Sequence, residues 1–403
     1  MPKNRSPRFA CSLLCVLICA SAVLGCSSPS QKHTPYGPPR QDASAAQQRA
    51  LDLAERGYSG APRPASTQAT AVELAVASQQ WVVHGEPLSV TLAAPQGGSQ
   101  SLPLLVYLPG LGESANAGAH WRYAWARAGY AVLSFQALEA DQTAWSSALA
   151  RSADFSALAL QHQQPHLLQA RLHALQGAIA ELGRRAAAGE ALWSRVDLSR
   201  VAVVGYDLGA ATALAWGSSL GPQAAEPGRG ARAVIMLSPS GVTHADAERA
   251  LATMPPRLPL LAINSRRAAD LTGLLNSAAE RTRFFEQLPA DANKYLLLLN
   301  NPSHAALAGA SGMAESPEEP AGRGISRRPQ SQPAKGSGPQ NAIMSAAPPP
   351  TLLDKGNQEA GVVVEHISIA FLNTHLRADP QAQSWLQQSA AVWLKGLAEW
   401  RLR

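Results

Sequence analysis

The side chain best placed for covalent chemistry is Asp207, in the segment Val201 to Ala211 that reads VAVVGYDLGAA. An apolar run typical of a buried strand passes into a small-residue helix through Gly205-Tyr206-Asp207-Leu208-Gly209. Glycines on both sides let the chain reverse without a Cβ clash, so the central side chain is lifted above the sheet as a nucleophile elbow. Leu208 then opens the helix, and its backbone N–H lacks an intrahelical acceptor and is aimed at any oxyanion that develops beside Asp207. A second oxyanion donor is expected at the backbone of Leu111, in Tyr107-Leu108-Pro109-Gly110-Leu111-Gly112 after an earlier strand. The base expected is His304, in Asn300-Asn301-Pro302-Ser303-His304 after the last long apolar run. Asp270 is the acid expected to orient that histidine, with Asp246 as competitor.

These residues need a scaffold that brings loops far apart in sequence to one edge. Six apolar runs supply it: LPLLVYL (102–108), YAVLSF (130–135), RVAVVGY (200–206), RAVIMLS (232–238), LPLLAIN (258–264) and KYLLLLN (294–300). Bounded by Gly or Pro and separated by helical stretches, they predict an α/β fold with a mostly parallel central sheet flanked by helices. WVVHGEPLSVTLAA alternates and breaks at His84-Gly85-Glu86-Pro87, which predicts an N-terminal β-hairpin. Pro165 opens a strong helix over 165–188, and SWLQQSAAVWLKGLAEW predicts a closing helix with Trp385, Trp393 and Trp400 on its core-facing stripe. Residues 309–350, dense in Gly, Pro and Ser, predict a disordered insertion.

The N-terminus reads as an address. Lys3, Arg5 and Arg8 precede the apolar run Phe9 to Leu24, which ends in Val23-Leu24-Gly25-Cys26. This is similar to the lipobox of bacterial lipoproteins, which implies a signal peptide over 1–25, an acylated Cys26 and a bilayer as partner. Ser27 after the cysteine implies sorting in the cell envelope to an outer membrane, facing the periplasm. Residues 26–71 then read as a flexible tether with one short helix, and 72–403 as the α/β domain that carries the 309–350 insertion. All four cysteines (Cys11, Cys15, Cys19 and Cys26) lie in the address, so the body holds no disulfide framework. The same three N-terminal basic residues supply half of the net charge of +6, and aromatic residues are only 5%, which argues against nucleic acid as a partner. Mean hydropathy of −0.10 argues against a polytopic membrane protein.

Beyond these readings, the chain resembles the α/β-hydrolase superfamily, and more narrowly the predicted dienelactone hydrolase and platelet-activating-factor acetylhydrolase-like group. LPLLVYLPGLGES, AWARAGYAVLSF, VDLSRVAVVGYDLGAATAL, NPSHAAL and AFLNTHLRADPQAQSWL carry the likeness, over about 72–308 and 351–400. It implies an α/β-hydrolase fold and hydrolysis of ester-type bonds in a small-molecule substrate whose identity the sequence leaves open. No metal or organic cofactor is implied. The group normally carries Ser where Asp207 stands, and His where Pro109 stands. Three chemistries follow: Asp207 and His304 activating water against an ester, Asp207 attacking saturated carbon in an epoxide or haloalkane, or a catalytically silent binding protein. His162, His166 and His173 are read as solvated helix histidines rather than a metal face, because Pro165 interrupts them.

Overall fold

The computed structural model describes residues 40–62, 72–218, 231–240, 258–268, 280–291, 293–309, 343–344 and 357–403. The strands are β1 (Leu74–Val83), β2 (Glu86–Pro95), β3 (Leu102–Leu108), β4 (Ala131–Phe135), β5 (Val196–Tyr206), β6 (Ala231–Leu237), β7 (Leu260–Ser265), β8 (Lys294–Leu299), β9 (Ile343–Met344) and β10 (Ala398–Leu402). They form one mixed sheet in the order β10-β8-β7-β6-β5-β3-β4-β2-β1-β9. Strands β3 to β8 run parallel to one another. The outer pairs β1/β2, β2/β4 and β8/β10 are antiparallel. Between β1 and β2 the chain turns at His84 and Gly85, both at positive φ (54° and 88°), the tight two-residue geometry that suits the strand twist.

The parallel strands are long apolar runs because both of their faces are covered. Every residue of β3, β4, β7 and β8 is buried. Alternate side chains go to opposite sides: Leu104 and Val106 pack with helices α4 (Pro165–Ala187) and α5 (Leu208–Gly217). Leu105 and Tyr107 pack with α1 (Arg40–Glu55), α2 (Ala119–Arg127) and α6 (Gln358–Arg377). In α1 and the turn after it, Leu53, Tyr58 and Ala61 are buried, and the Tyr58 hydroxyl donates to Asp379 at 2.8 Å. This part of the segment read as a tether therefore packs as part of the domain. Among the described residues no helix is long and apolar enough to cross a membrane.

Topology marks one edge of the sheet. The chain leaves β3 for α2 on one face, whereas it leaves β5, the neighbour of β3, for α5 on the other. Where adjacent parallel strands send their connections to opposite faces, a crevice opens beyond their carboxyl ends. Leu111 lies just past one of these ends and Asp207 just past the other.

The C-terminus corrects the predicted closing helix. A short helix (Pro380–Ser384) passes through a wider π turn (Trp385–Ser389) into one last turn (Ala390–Trp393). The chain then reverses at Gly396, φ 85°, into β10. Trp400 is thus a strand residue, paired with Leu297 and stacked on Tyr295 at 5.5 Å. Trp385 and Trp393 do stay together, 5.4 Å apart.

Candidate active site

Asp207 sits at φ 52° and ψ −115°, a conformation that costs a non-glycine residue about 1–3 kcal/mol and survives only where the surroundings over-determine it. Here they do. Its N–H donates to Leu237 O at 3.0 Å, and its carbonyl accepts from Ala210 N at 3.1 Å and Ser240 N at 3.3 Å. Gly205 and Gly209 are required by close approach rather than by φ. A Cβ on Gly205 would lie 2.1 Å from Gly209 O, and one on Gly209 would lie 2.1 Å from Leu108 O. The amino end of α5 is pressed onto the end of β3, and that contact holds the acid up.

The carboxylate of Asp207 has two different environments. Leu111 N–H donates to Oδ2 at 3.2 Å, while Oδ1 faces His304 Nε2 at 3.7 Å. Both side chains keep a window on solvent, 18% for Asp207 and 20% for His304. The structure thus brings together Asp207, Leu111 and His304. Leu208 follows at the first position of α5, where the helix dipole is positive. Asp270, Asp246 and Cys26 lie outside the described residues, as does all of 309–350 except Gly309, Ile343 and Met344.

Several residues of the site escaped the sequence. His304 Nδ1 is bonded to the hydroxyl of Ser238 at 2.7 Å, directly after β6. Ser238 is fully buried and at φ 41°, held by its N–H to Ile263 O at 2.8 Å. Tyr206 stacks on the His304 ring, centroids 5.0 Å apart, and its hydroxyl donates to His304 O at 3.1 Å. A strand ending in Ser-Pro-Ser was the available signal for Ser238, but nothing local pointed it at residue 304.

Glu113 was also missed. Its Oε2 accepts from Gly110 N at 2.8 Å, so consecutive amides of one turn hold two different carboxylates. The Gln136 amide closes the same turn through Gly110 O at 2.9 Å and Glu113 O at 3.1 Å. Burial pushes the Glu113 carboxyl up to about 7 from the ordinary 4.5; the Gly110 N–H opposes this and the charge of Asp207 adds to it. The folded chain therefore keeps a proton that the unfolded chain releases. Stability from this group is full below about pH 4.5 and is lost as pH rises through 7. Water reaches part of the side chain, so the loss is set at about 2 kcal/mol. Urea unfolding of wild type and Glu113→Gln at pH 4.5 and pH 7.5 measures it. The wild type should weaken relative to the variant over that interval, and parallel curves would refute the assignment.

The histidine cluster needs correction. His162 is buried, not solvated: it ends helix α3 (Phe155–His162) and bonds Asp141 Oδ1 at 2.8 Å beside Arg171. His173 is exposed and stacks on His84, rings 3.7 Å apart. Among the described residues no group of three or more His, Cys, Asp or Glu side chains is arranged to hold a metal ion. Two cavities, of about 760 and 630 Å³, lie elsewhere: between α1 and the C-terminal turns, and beside the outer hairpin strands. No protein-family model matches the chain, and no curated protein matches it either.

Proposed function

We propose that the chain is a hydrolase of α/β-hydrolase fold in which Asp207 is the nucleophile, acting on saturated carbon that bears a leaving group, as in an epoxide or a haloalkane. The elbow after β5 and the histidine after β8 support the fold assignment. The observation that carries the chemistry is the bond from Leu111 N–H to Asp207 Oδ2. It occupies the oxyanion donor with the acid's own oxygen and leaves Oδ1 free to attack. In the first step Oδ1 forms a C–O bond as the bond to the leaving group breaks; the electron pair goes with a departing halide or, in an epoxide, to the ring oxygen, which stays on the product and takes a proton from solvent. The product is an ester on Asp207. In the second step His304 takes a proton from water, whose oxygen attacks Cγ. Charge then develops on Oδ2, where the Leu111 and Leu208 N–H groups stabilise it. Collapse expels the alkoxide, which takes the proton from the imidazolium, and Asp207, now holding one oxygen from water, releases its remaining proton to solvent to regenerate the carboxylate.

Water activation against an external ester, the first expectation from the sequence, fits this arrangement less well. The substrate carbonyl would have to displace a charged oxygen from Leu111 N–H. Attack by Asp207 on the same carbonyl would give a mixed anhydride, which collapses backwards because carboxylate leaves better than alkoxide. The silent reading draws support from Asp207 itself, which stands where the resembled group normally carries Ser.

Single turnover of styrene oxide and of 1-bromobutane in heavy-oxygen water separates the three. Label should enter the Asp207 carboxylate, read by mass spectrometry of its peptide. Turnover without label overturns the nucleophile assignment. Hydrolysis of p-nitrophenyl esters alone supports water activation, and inertness toward every probe supports the silent protein. The Val23-Leu24-Gly25-Cys26 motif supports a lipid anchor at Cys26 and a place in the bacterial envelope, with the domain facing the periplasm.

A further inference from the structure

We propose, on the reading of Asp207 as nucleophile, that Glu113 is the acid that protonates the ring oxygen of an epoxide as Asp207 opens the ring. An epoxide rather than a haloalkane is then the substrate that this site takes. Two carboxyls hang from neighbouring amides of one turn: Gly110 N–H donates to Glu113 Oε2 at 2.8 Å, and Leu111 N–H to Asp207 Oδ2 at 3.2 Å. Gly110 is pressed so closely on the elbow that a Cβ there would lie 3.1 Å from Asp207 Cβ. Glu113 N–H closes the turn onto Gly110 O at 3.3 Å, and the Gln136 amide binds both Gly110 O and Glu113 O. Each carboxyl thus has one oxygen held by the backbone. In Asp207 the other oxygen, Oδ1, is left to attack. In Glu113 the bonded Oε2 is an acceptor, which leaves Oε1 to carry the proton.

Two carboxyls so placed hold one negative charge more readily than two. Burial and the charge of Asp207 raise the Glu113 carboxyl to about 7 against the opposing Gly110 N–H, so below that pH the pair rests as Asp207 carboxylate and Glu113 acid. Tyr107, on β3, faces both; burial pushes its hydroxyl well above its ordinary value, and it stays neutral, with Arg122 of α2 beside it. Ring opening then moves charge within the pair and leaves the total unchanged. Oδ1 bonds to carbon, the ring C–O bond breaks with its electron pair going to oxygen, and the Glu113 proton moves to that oxygen. Asp207 is now a neutral ester and Glu113 a carboxylate. Hydrolysis of the ester leaves Asp207 holding a proton, which passes to Glu113 and restores the starting pair. The proton drawn from solvent and the proton given back both travel through this one half-buried side chain. A departing halide takes no proton, so Glu113 gives a haloalkane no help.

Rapid-quench single turnover of the full chain, with mass spectrometry of the Asp207 peptide, gives the rate of ester formation by styrene oxide and by 1-bromobutane. Glu113→Gln keeps an oxygen for Gly110 N–H but has no acidic proton. It should lower the ratio of the styrene oxide rate to the bromobutane rate by about 100-fold, the usual contribution of a positioned acid. The wild-type styrene oxide rate should fall as pH rises through about 7, where Glu113 loses its proton, and the variant should lack that fall. A ratio lowered less than about tenfold, including a loss shared equally by both reagents, overturns the acid and leaves the nucleophile in place. Wild type that forms no ester from either reagent overturns both. Carbon-13 titration of the resting carboxyls needs no turnover and still decides if Glu113→Gln does not fold. A carboxyl should titrate near 7 and move to lower pH by about one pH unit in Asp207→Asn, which removes the neighbouring charge. No carboxyl titrating in that range, or one that Asp207→Asn does not move, overturns the proposal.

Discussion

Replacing Arg171 with methionine is expected to lower the free energy of unfolding by about 3–5 kcal/mol at neutral pH, because it strands a buried carboxylate. Arg171 Nε and Nη2 hold the two oxygens of Asp141 at 2.7 and 2.8 Å, and Nη2 also donates to His162 O at 2.6 Å. The Asp141 side chain is fully buried, and those of Arg171 and His162 are each 4% exposed. Burial alone would raise the Asp141 carboxyl; the bonds from Arg171 and His162 outweigh it and hold it below its ordinary value. Stability from Asp141 is thus present above the usual carboxylate range and is lost as pH falls through the lowered value. Without the guanidinium, the carboxylate must stay charged without its main partner or take up a proton. Guanidinium unfolding at pH 7 measures the loss. Pairing Arg171→Met with Asp141→Leu should recover most of it, since then no charge is left uncompensated. A single variant within 1 kcal/mol of wild type would show that the cluster is not closed to water.

The same cluster bears on the candidate active-site crevice. Asp141 O accepts from Gly112 N at 2.8 Å, and Trp145 Nε1 donates to Leu111 O at 3.0 Å. The turn that carries Leu111, the proposed oxyanion donor, is therefore tied, one residue away, to a buried ion cluster on the chain between β4 and α3. Under the proposed function, a donor held within a few tenths of an ångström needs this kind of support behind it.

How far the sequence could be read depends on the range of the interactions involved. The parallel strands were legible because a strand buried on both faces declares itself within seven residues. LPLLVYL, 102–108, was placed at its observed ends. The elbow was legible for the same reason, since its strand, its glycines and its helix are contiguous. His304 needed only its place after the last parallel strand. Ser238 was not legible, because its importance comes from a contact with a residue 66 positions away. His162 failed similarly: on its own helix it looks solvated, and only the fold brings Asp141 and Arg171 against it. The C-terminus failed for a different reason. The spacing of Trp385, Trp393 and Trp400 fits one helical stripe, but Gly396 breaks it. Trp400 reaches the same aromatic core from a strand, stacked on Tyr295. A helical period in large residues did not distinguish one element from two that converge on one core.

The elbow itself makes the last prediction, in which one substitution has opposite signs at two helical positions. Glycine to alanine in a helix interior ordinarily stabilises by up to about 1 kcal/mol. At Gly183 in α4 a new Cβ would meet only the end of a flexible side chain, Leu198 Cδ1 at 3.1 Å. Gly183→Ala should therefore show a small gain. At Gly209 in α5 the new Cβ would lie 2.1 Å from Leu108 O and 2.6 Å from Pro109 O, and backbone does not yield as a side chain does. Gly209→Ala should cost about 3 kcal/mol or more, since the helix must lift off the end of β3. Denaturant unfolding of both variants gives the comparison. Lifting α5 also moves Leu208 away from Leu111 and relaxes the turn at Asp207, so Gly209→Ala should further reduce label incorporation at Asp207 wherever the folded variant can be assayed. A cost under 1 kcal/mol at Gly209 would mean that α5 does not press on β3. Asp207 would then have no reason to hold a positive φ, and the crevice between Leu111 and His304 would lose the contact that builds it.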